Sequence, residues 1–219
     1  MKLRLNIPDT LDDITLEQYQ KFEKVNTKEN KDSVFLLQKM VEIFCNIELD
    51  LTRQIKYNDL LDIVNHLNDL LKQEPELITT FKIDNVQYGF IPDLENITLG
   101  EYIDLDNYLG DWKNMHKAMA VMYRPVTLQK DNRYLIEDYQ GSIYADKMLK
   151  SPLSVPISSM VFFYHLNKEL LNYTLKYLNK EVGNLSVEQL KILEKNGVGI
   201  NQSLHSLEGI LKDLKISLS

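Results

Sequence analysis

Four histidines, one cysteine and several paired carboxylates are the residues of this 219-residue chain that could do chemistry. His66, His116, His165 and His205 include no pair spaced four apart on a helix, and none has a Cys or carboxylate at metal-ligand spacing. They read as satisfied or exposed histidines rather than ligands. Cys45 sits inside the apolar run Val41 to Ile47, the setting of a small buried hydrophobe rather than a nucleophile, and a lone thiol excludes disulfide scaffolds and Cys-based zinc sites. Asp12-Asp13 and Asp104-Asp106 have acid–base potential, but they fall in turns or on polar helix faces with no Ser-His or Lys arrangement beside them. Gly197-Val198-Gly199 lacks the preceding strand and third glycine of a phosphate loop. No catalytic, cofactor-binding or metal site is expected.

A second set of residues gathers between Trp112 and Pro125. Trp112, Met115, Met119, Met122, Tyr123 and Arg124 fall together on one expected helix. Two readings stay open for the Met face: gap-filling core, or an adaptable docking surface for a partner. Arg124 reads either as a cap for the helix C-terminus or as an interface arginine. If the chain has a binding surface, these six residues are the candidate interface.

The elements that must position them follow from periodicity. Leu3, Leu5 and Ile7 alternate with Arg4 and Asn6, the period of a half-buried strand that Pro8 ends. Thr15 with Gln18 predicts a capping box and a helix from Leu16 to about Val25. Helices are predicted from Asp32 or Ser33 to Phe44, over 57–73, from Thr98 with Glu101 as a second capping box, and over Trp112 to Tyr123 with Pro125 as its stop. The runs Thr79-Phe81-Ile83 and Val86-Tyr88-Phe90 flank Asp84-Asn85, a tight hairpin signal. Thr127 to Tyr139 reads as irregular apart from a strand at 134–136. A short helix is expected at 142–149, a hinge or extended connector with two prolines at 151–156, and helices at 157–180, 185–195 and 202–216. The last carries Leu204, Leu207, Ile210, Leu211 and Leu214 at heptad-like spacing, fit to dock on the domain or to zip to a partner.

Together these predict an α+β, predominantly α-helical protein: a small antiparallel sheet from the N-terminal strand and the 79–90 hairpin, packed by about eight helices. Residues 1–150 form the expected α+β domain, and 151–219 a helical region that either continues it or stands apart. Within the first part Ile7-Pro8-Asp9, Ile14-Thr15-Leu16 and Tyr19 recur as Ile91-Pro92-Asp93, Ile97-Thr98-Leu99 and Tyr102. Strand exit, turn and helix cap repeat over 7–22 and 91–105, by duplication or by the recurrence of good caps.

Composition narrows the function class. Hydrophobic residues at 44% and charged residues at 26% describe a globular chain, and 8 Gly with 6 Pro leave little room for linkers. A net charge of -7 repels phosphates, so nucleic acid is a disfavoured partner. The start MKLRLNIPDT has no apolar leader core, and the longest apolar patch, Met160 to Tyr164, is too short to span a bilayer.

The segments IPDTLDDITLEQYQKFEKVN, FIPDLENITLGEYIDLDNYLGDWKNMHKAMAVMYRPVT and SSMVFFYHLNKELL resemble a small protein encoded among the virion genes of tailed bacteriophages, crAss-like phages and related phages of low-GC hosts. The resemblance covers roughly Met1 to Leu178. It implies a non-enzymatic structural or assembly protein, either cargo packaged in the virion or a tail or baseplate assembly chaperone. The partners would be other virion or tail proteins, with homo-oligomers also open, and the location the virion or host cytoplasm. It carries over no catalytic residues, and it points to Ile91 to Tyr102 and Trp112 to Pro125 as the segments that make contacts. The alternatives from the residues themselves are a nucleic-acid-associated regulator using the Arg53, Lys56 and Lys117 regions, or an enzyme without a recognisable motif.

Overall fold

The computed structural model describes residues 5–31, 33–131 and 133–181. Its elements are α1 (Leu16–Glu23), α2 (Val34–Phe44), α3 (Leu49–Thr52), α4 (Tyr57–Leu71), β1 (Thr80–Ile83), β2 (Val86–Phe90), α5 (Leu99–Tyr108), α6 (Met115–Met122), β3 (Tyr123–Lys130), β4 (Arg133–Ile136), α7 (Ala145–Met148) and α8 (Ser154–Glu181). The fold is α+β and mainly helical, as expected. The helices expected over 185–195 and 202–216 lie outside the described residues.

Both expected capping boxes form. Thr15 Oγ1 accepts from the Gln18 backbone N–H at 3.2 Å while Gln18 Oε1 accepts from the Thr15 N–H at 2.9 Å. Thr98 and Glu101 repeat the exchange at 3.2 and 2.6 Å. Each box satisfies two orphan donors of a helix start. The two copies nevertheless face different surroundings. Leu16 and Tyr19 are fully buried, whereas their counterparts Leu99 and Tyr102 are exposed. The shared letters specify a cap, not a packing environment.

The sheet differs from expectation in its outer half. β1 and β2 form the predicted hairpin, with Asp84 and Asn85 at φ 48° and 66° supplying the left-handed turn. Residues 5–8, however, form no strand, so the expected N-terminal strand is absent where the chain is described. The free edge of β2 is taken instead by β3, and β4 follows, giving the antiparallel order β1-β2-β3-β4. The helix expected to stop before Pro125 does end there, at Met122, but the chain then runs straight into a strand, where largely irregular structure is expected over 127–139. The Pro125 carbonyl accepts from the Glu137 N–H, so the donor that proline lacks would face β4 where the β3–β4 ladder is already ending.

A register shift between Val126 and Leu128 bends β3 and folds β4 back towards β2. The Tyr134 ring then lies over Gly89, and its single hydroxyl proton is shared between the Phe90 and Thr79 carbonyls at 2.9 and 3.2 Å. A Cβ on residue 89 would come within 2.5 Å of that ring. Gly89→Ala should therefore cost about 1–3 kcal/mol in urea denaturation. Most of that cost should disappear in the Tyr134→Ala background; an equal cost in both backgrounds would contradict the close approach.

The segment expected to be a hinge or extended connector is packed, and its second half is helical. Ser151, Leu153 and Val155 are buried, and α8 starts at Ser154 because proline is tolerated in a first helical turn, where Pro156 sits. Leu153, Val155, Ile157 and Met160 join the same core as Leu16, Tyr19 and Phe22, so residues 153–160 belong to the body formed by the preceding chain. Phe162 and Phe163 extend that core with ring contacts to Phe90, which also meets Tyr123. Tyr123 donates its buried hydroxyl to the Ile78 carbonyl at 2.7 Å and shares a hydrogen bond with Ser159. This ties the sheet to α8.

Candidate functional site

All six residues of the sequence-predicted interface are buried. Met115, Met119, Met122 and Tyr123 have no exposed surface, and Trp112 and Arg124 have almost none. They do come together, but as core. Ala118, Ala120 and Val121 are buried too, so α6 is enclosed except where the half-buried His116 and Lys117 lie. Arg124 belongs to β3 rather than to a helix end.

The other chemistry-bearing residues have structural partners. His66 Nε2 donates to the Pro8 carbonyl at 2.8 Å, and His116 Nδ1 lies 3.1 Å from Gln20 Nε2. Asp12 accepts from the Ser154 hydroxyl, and Asp13 from the Asp9 and Thr10 backbone. Among the described residues no group of three His, Cys, Asp or Glu is placed to hold a metal ion. A groove of about 430 Å³ is lined by Pro8, Asp13, Glu17, Lys21, Cys45 and Asn46, among others. Glu17 and Lys21, one turn apart on α1, are already paired at 2.8 Å. Burial pushes the Cys45 thiol up to about 11, which keeps it protonated and inert near neutrality. Native protein at pH 8 should leave Cys45 unmodified by an aromatic disulfide reagent, with one thiol appearing only in denaturant. Rapid labelling of the folded chain would refute this.

Of the two segments expected to make contacts, 112–125 is core and 91–102 runs into α5, whose double character the sequence does not reveal. Its inner face carries Glu101 and Leu105, both buried. Glu101 meets Arg124 Nη1 at 2.6 Å in an ion pair enclosed by the fold. The contact is a short, charge-assisted one, and Arg124 Nε has no hydrogen-bond partner among the described residues. Burial pushes the Glu101 carboxyl up, but hydrogen bonds from Thr98 and the Arg124 charge outweigh it and hold the group below its usual range. The Tyr139 ring covers Arg124 at 5.7 Å, and its hydroxyl donates to Asp104 on the same helix. Burial and that carboxylate both raise the phenol, which stays protonated. Helix α5 is thus clamped at its start by Arg124 from β3 and along its length by Tyr139.

The opposite face of α5 is apolar and open to solvent. Leu99, Tyr102 and Ile103 are 74%, 58% and 46% exposed. Their i, i+3, i+4 spacing puts them on one stripe, with Asp106 continuing it. Asp93 and Glu95 stand in the turn before the helix, and Asn96 hydrogen-bonds Asp93, holding that carboxyl below its ordinary value. From Ile83 to Trp112 the chain has seven acids and no Lys or Arg. The site is therefore a rigid helix bearing three large apolar side chains inside an acidic frame.

A search of family models, curated proteins and solved structures finds no match to this chain. No helix of the described residues is long and apolar enough to cross a membrane.

Proposed function

We propose that this is a non-enzymatic structural or assembly protein of a tailed bacteriophage, working through protein–protein contacts as packaged cargo or as a tail or baseplate assembly chaperone. The observation that carries the contact reading is the outward face of α5. Large apolar side chains are exposed there together, on a helix whose inner face is fixed by a buried ion pair. A pre-positioned apolar face loses little conformational freedom on docking, which favours a binding role. The phage setting is supported by the resemblance of the segments around Ile7, Ile91 and Met160. The acidic surroundings of α5 work against a phosphate backbone as partner.

Mass spectrometry of purified virions and of assembly intermediates tests the setting. The protein should be found in one of the two, and Leu99→Ser/Tyr102→Ser/Ile103→Ser should deplete it there while leaving the circular dichroism spectrum unchanged. Absence from both fractions would reject the proposal.

A further inference from the structure

We infer that the α5 face of one copy receives the β3–β4 hairpin of a second copy. The reading of α5 as a contact surface underlies this, and the hairpin supplies the occupant. Leu128 and Leu135 are direct cross-strand partners and are 60% and 58% exposed, so they form one apolar step on the hairpin. Beyond them, Lys130 and Arg133 are paired in register at the tip, both exposed, with Asp131 between them in the turn at φ 52°. Neither cation has an ion pair among the described residues.

The two surfaces are complementary in both respects that decide docking. Each offers exposed aliphatic side chains, and the frames are opposite in sign: Asp93, Glu95 and Asp106 around α5, Lys130 and Arg133 at the hairpin tip. Complementary charge fixes orientation and favours encounter, while the apolar centre supplies most of the affinity. Like-with-like pairing is opposed, since two α5 faces would bring acids together. The contact is small, so it belongs with weak, concentration-dependent associations that become firm when many copies are held together.

Sedimentation velocity over a concentration series tests this with the full chain and two variants, Leu99→Ser/Tyr102→Ser/Ile103→Ser and Leu128→Ser/Leu135→Ser. The unmodified protein should associate as concentration rises, and about tenfold less tightly when salt is raised from 0.1 to 1 M. Each variant alone should stay monomeric, because every α5–hairpin junction lacks one half. An equimolar mixture should form heterodimers, since the hairpin of the first variant and the α5 face of the second are intact. This rescue excludes misfolding as the reason for either loss. The contact should have a Kd on the order of 0.1 mM, so a parent still monomeric at about 0.3 mM overturns the inference, as does a mixture that remains monomeric. Detection in virions alongside a monomeric parent would leave the proposed function standing and remove only this self-contact.

Discussion

Arg124→Met is expected to destabilise the fold by about 3–5 kcal/mol, the cost of leaving a buried charge without its partner. Glu101 is enclosed and cannot rotate to solvent without surrendering its hydrogen bond to the Thr98 N–H. The loss should therefore come from the stranded carboxylate rather than from the arginine itself. Arg124→Met/Glu101→Gln should recover most of it, because glutamine keeps the capping box without the charge, as Gln18 already does at the start of α1. Urea denaturation of the two variants decides the matter: no recovery in the double variant would mean that the pair is not the source. The pair also sets an acid limb. Glu101 titrates below its ordinary 4.5 in the folded state. Its contribution is thus complete above that value and is lost as pH falls through the lower, folded one. Glu101→Gln should flatten the stability profile below about pH 4.5 and leave it unchanged in slope above.

Trp112→Ala should cost about 3–5 kcal/mol, the range for deleting a large buried aromatic. The indole packs 4.5 Å from the Tyr19 ring at a tilt of 59°, and its own backbone carbonyl accepts from Gln20. The substitution empties the space between α1 and the start of α6. Trp112→Phe should cost much less, since the buried Nε1 donor has no hydrogen-bond partner among the described residues and its removal relieves an unmet group. Because Trp112 is the only tryptophan, its emission follows unfolding of the parent, and circular dichroism serves for the variants. A docking residue would behave oppositely, with stability retained and association lost. Unchanged stability in Trp112→Ala would return this residue to the surface.

The elements legible in the sequence were those fixed locally. Thr15-Gln18, Thr98-Glu101 and Asp84-Asn85 encode caps and a turn through side chains within three residues of each other, so one reading suffices. β3 was hidden because its strand-forming residues flank a proline, and only the free edge of β2 decides that Tyr123–Lys130 extends. Pro152 and Pro156 suggest a hinge or connector for a related reason: the effect of Pro156 depends on whether it falls inside a helix or in its first turn. The candidate site shows the same limit. Periodicity groups Met115, Met119 and Met122 on one face and Leu99, Tyr102 and Ile103 on another, but it does not tell which face a neighbour covers. The usable signal was chemical: an uninterrupted acidic stretch from Ile83 to Trp112, unusual around a helix meant wholly for a core.

The stitching of the two ends of the body bears on how the protein is made. The first turn of α1 depends on carbonyls that come much later: Leu16 and Glu17 donate to Ser151 and Leu149 at 3.0 and 2.9 Å. Ile14 accepts from the Leu153 N–H, and Ser154 donates to Asp12 across a separation of 142 residues. A nascent chain therefore carries Leu16, Tyr19 and Phe22 without their final cover until that distant segment has left the ribosome, on the order of ten seconds after α1 emerges. During that interval the first helix is a ligand for whatever holds unfinished chains. Closure by a segment so distant in sequence should slow folding relative to a helical protein of local contacts, and a chain cut before Ser154 should give no native product.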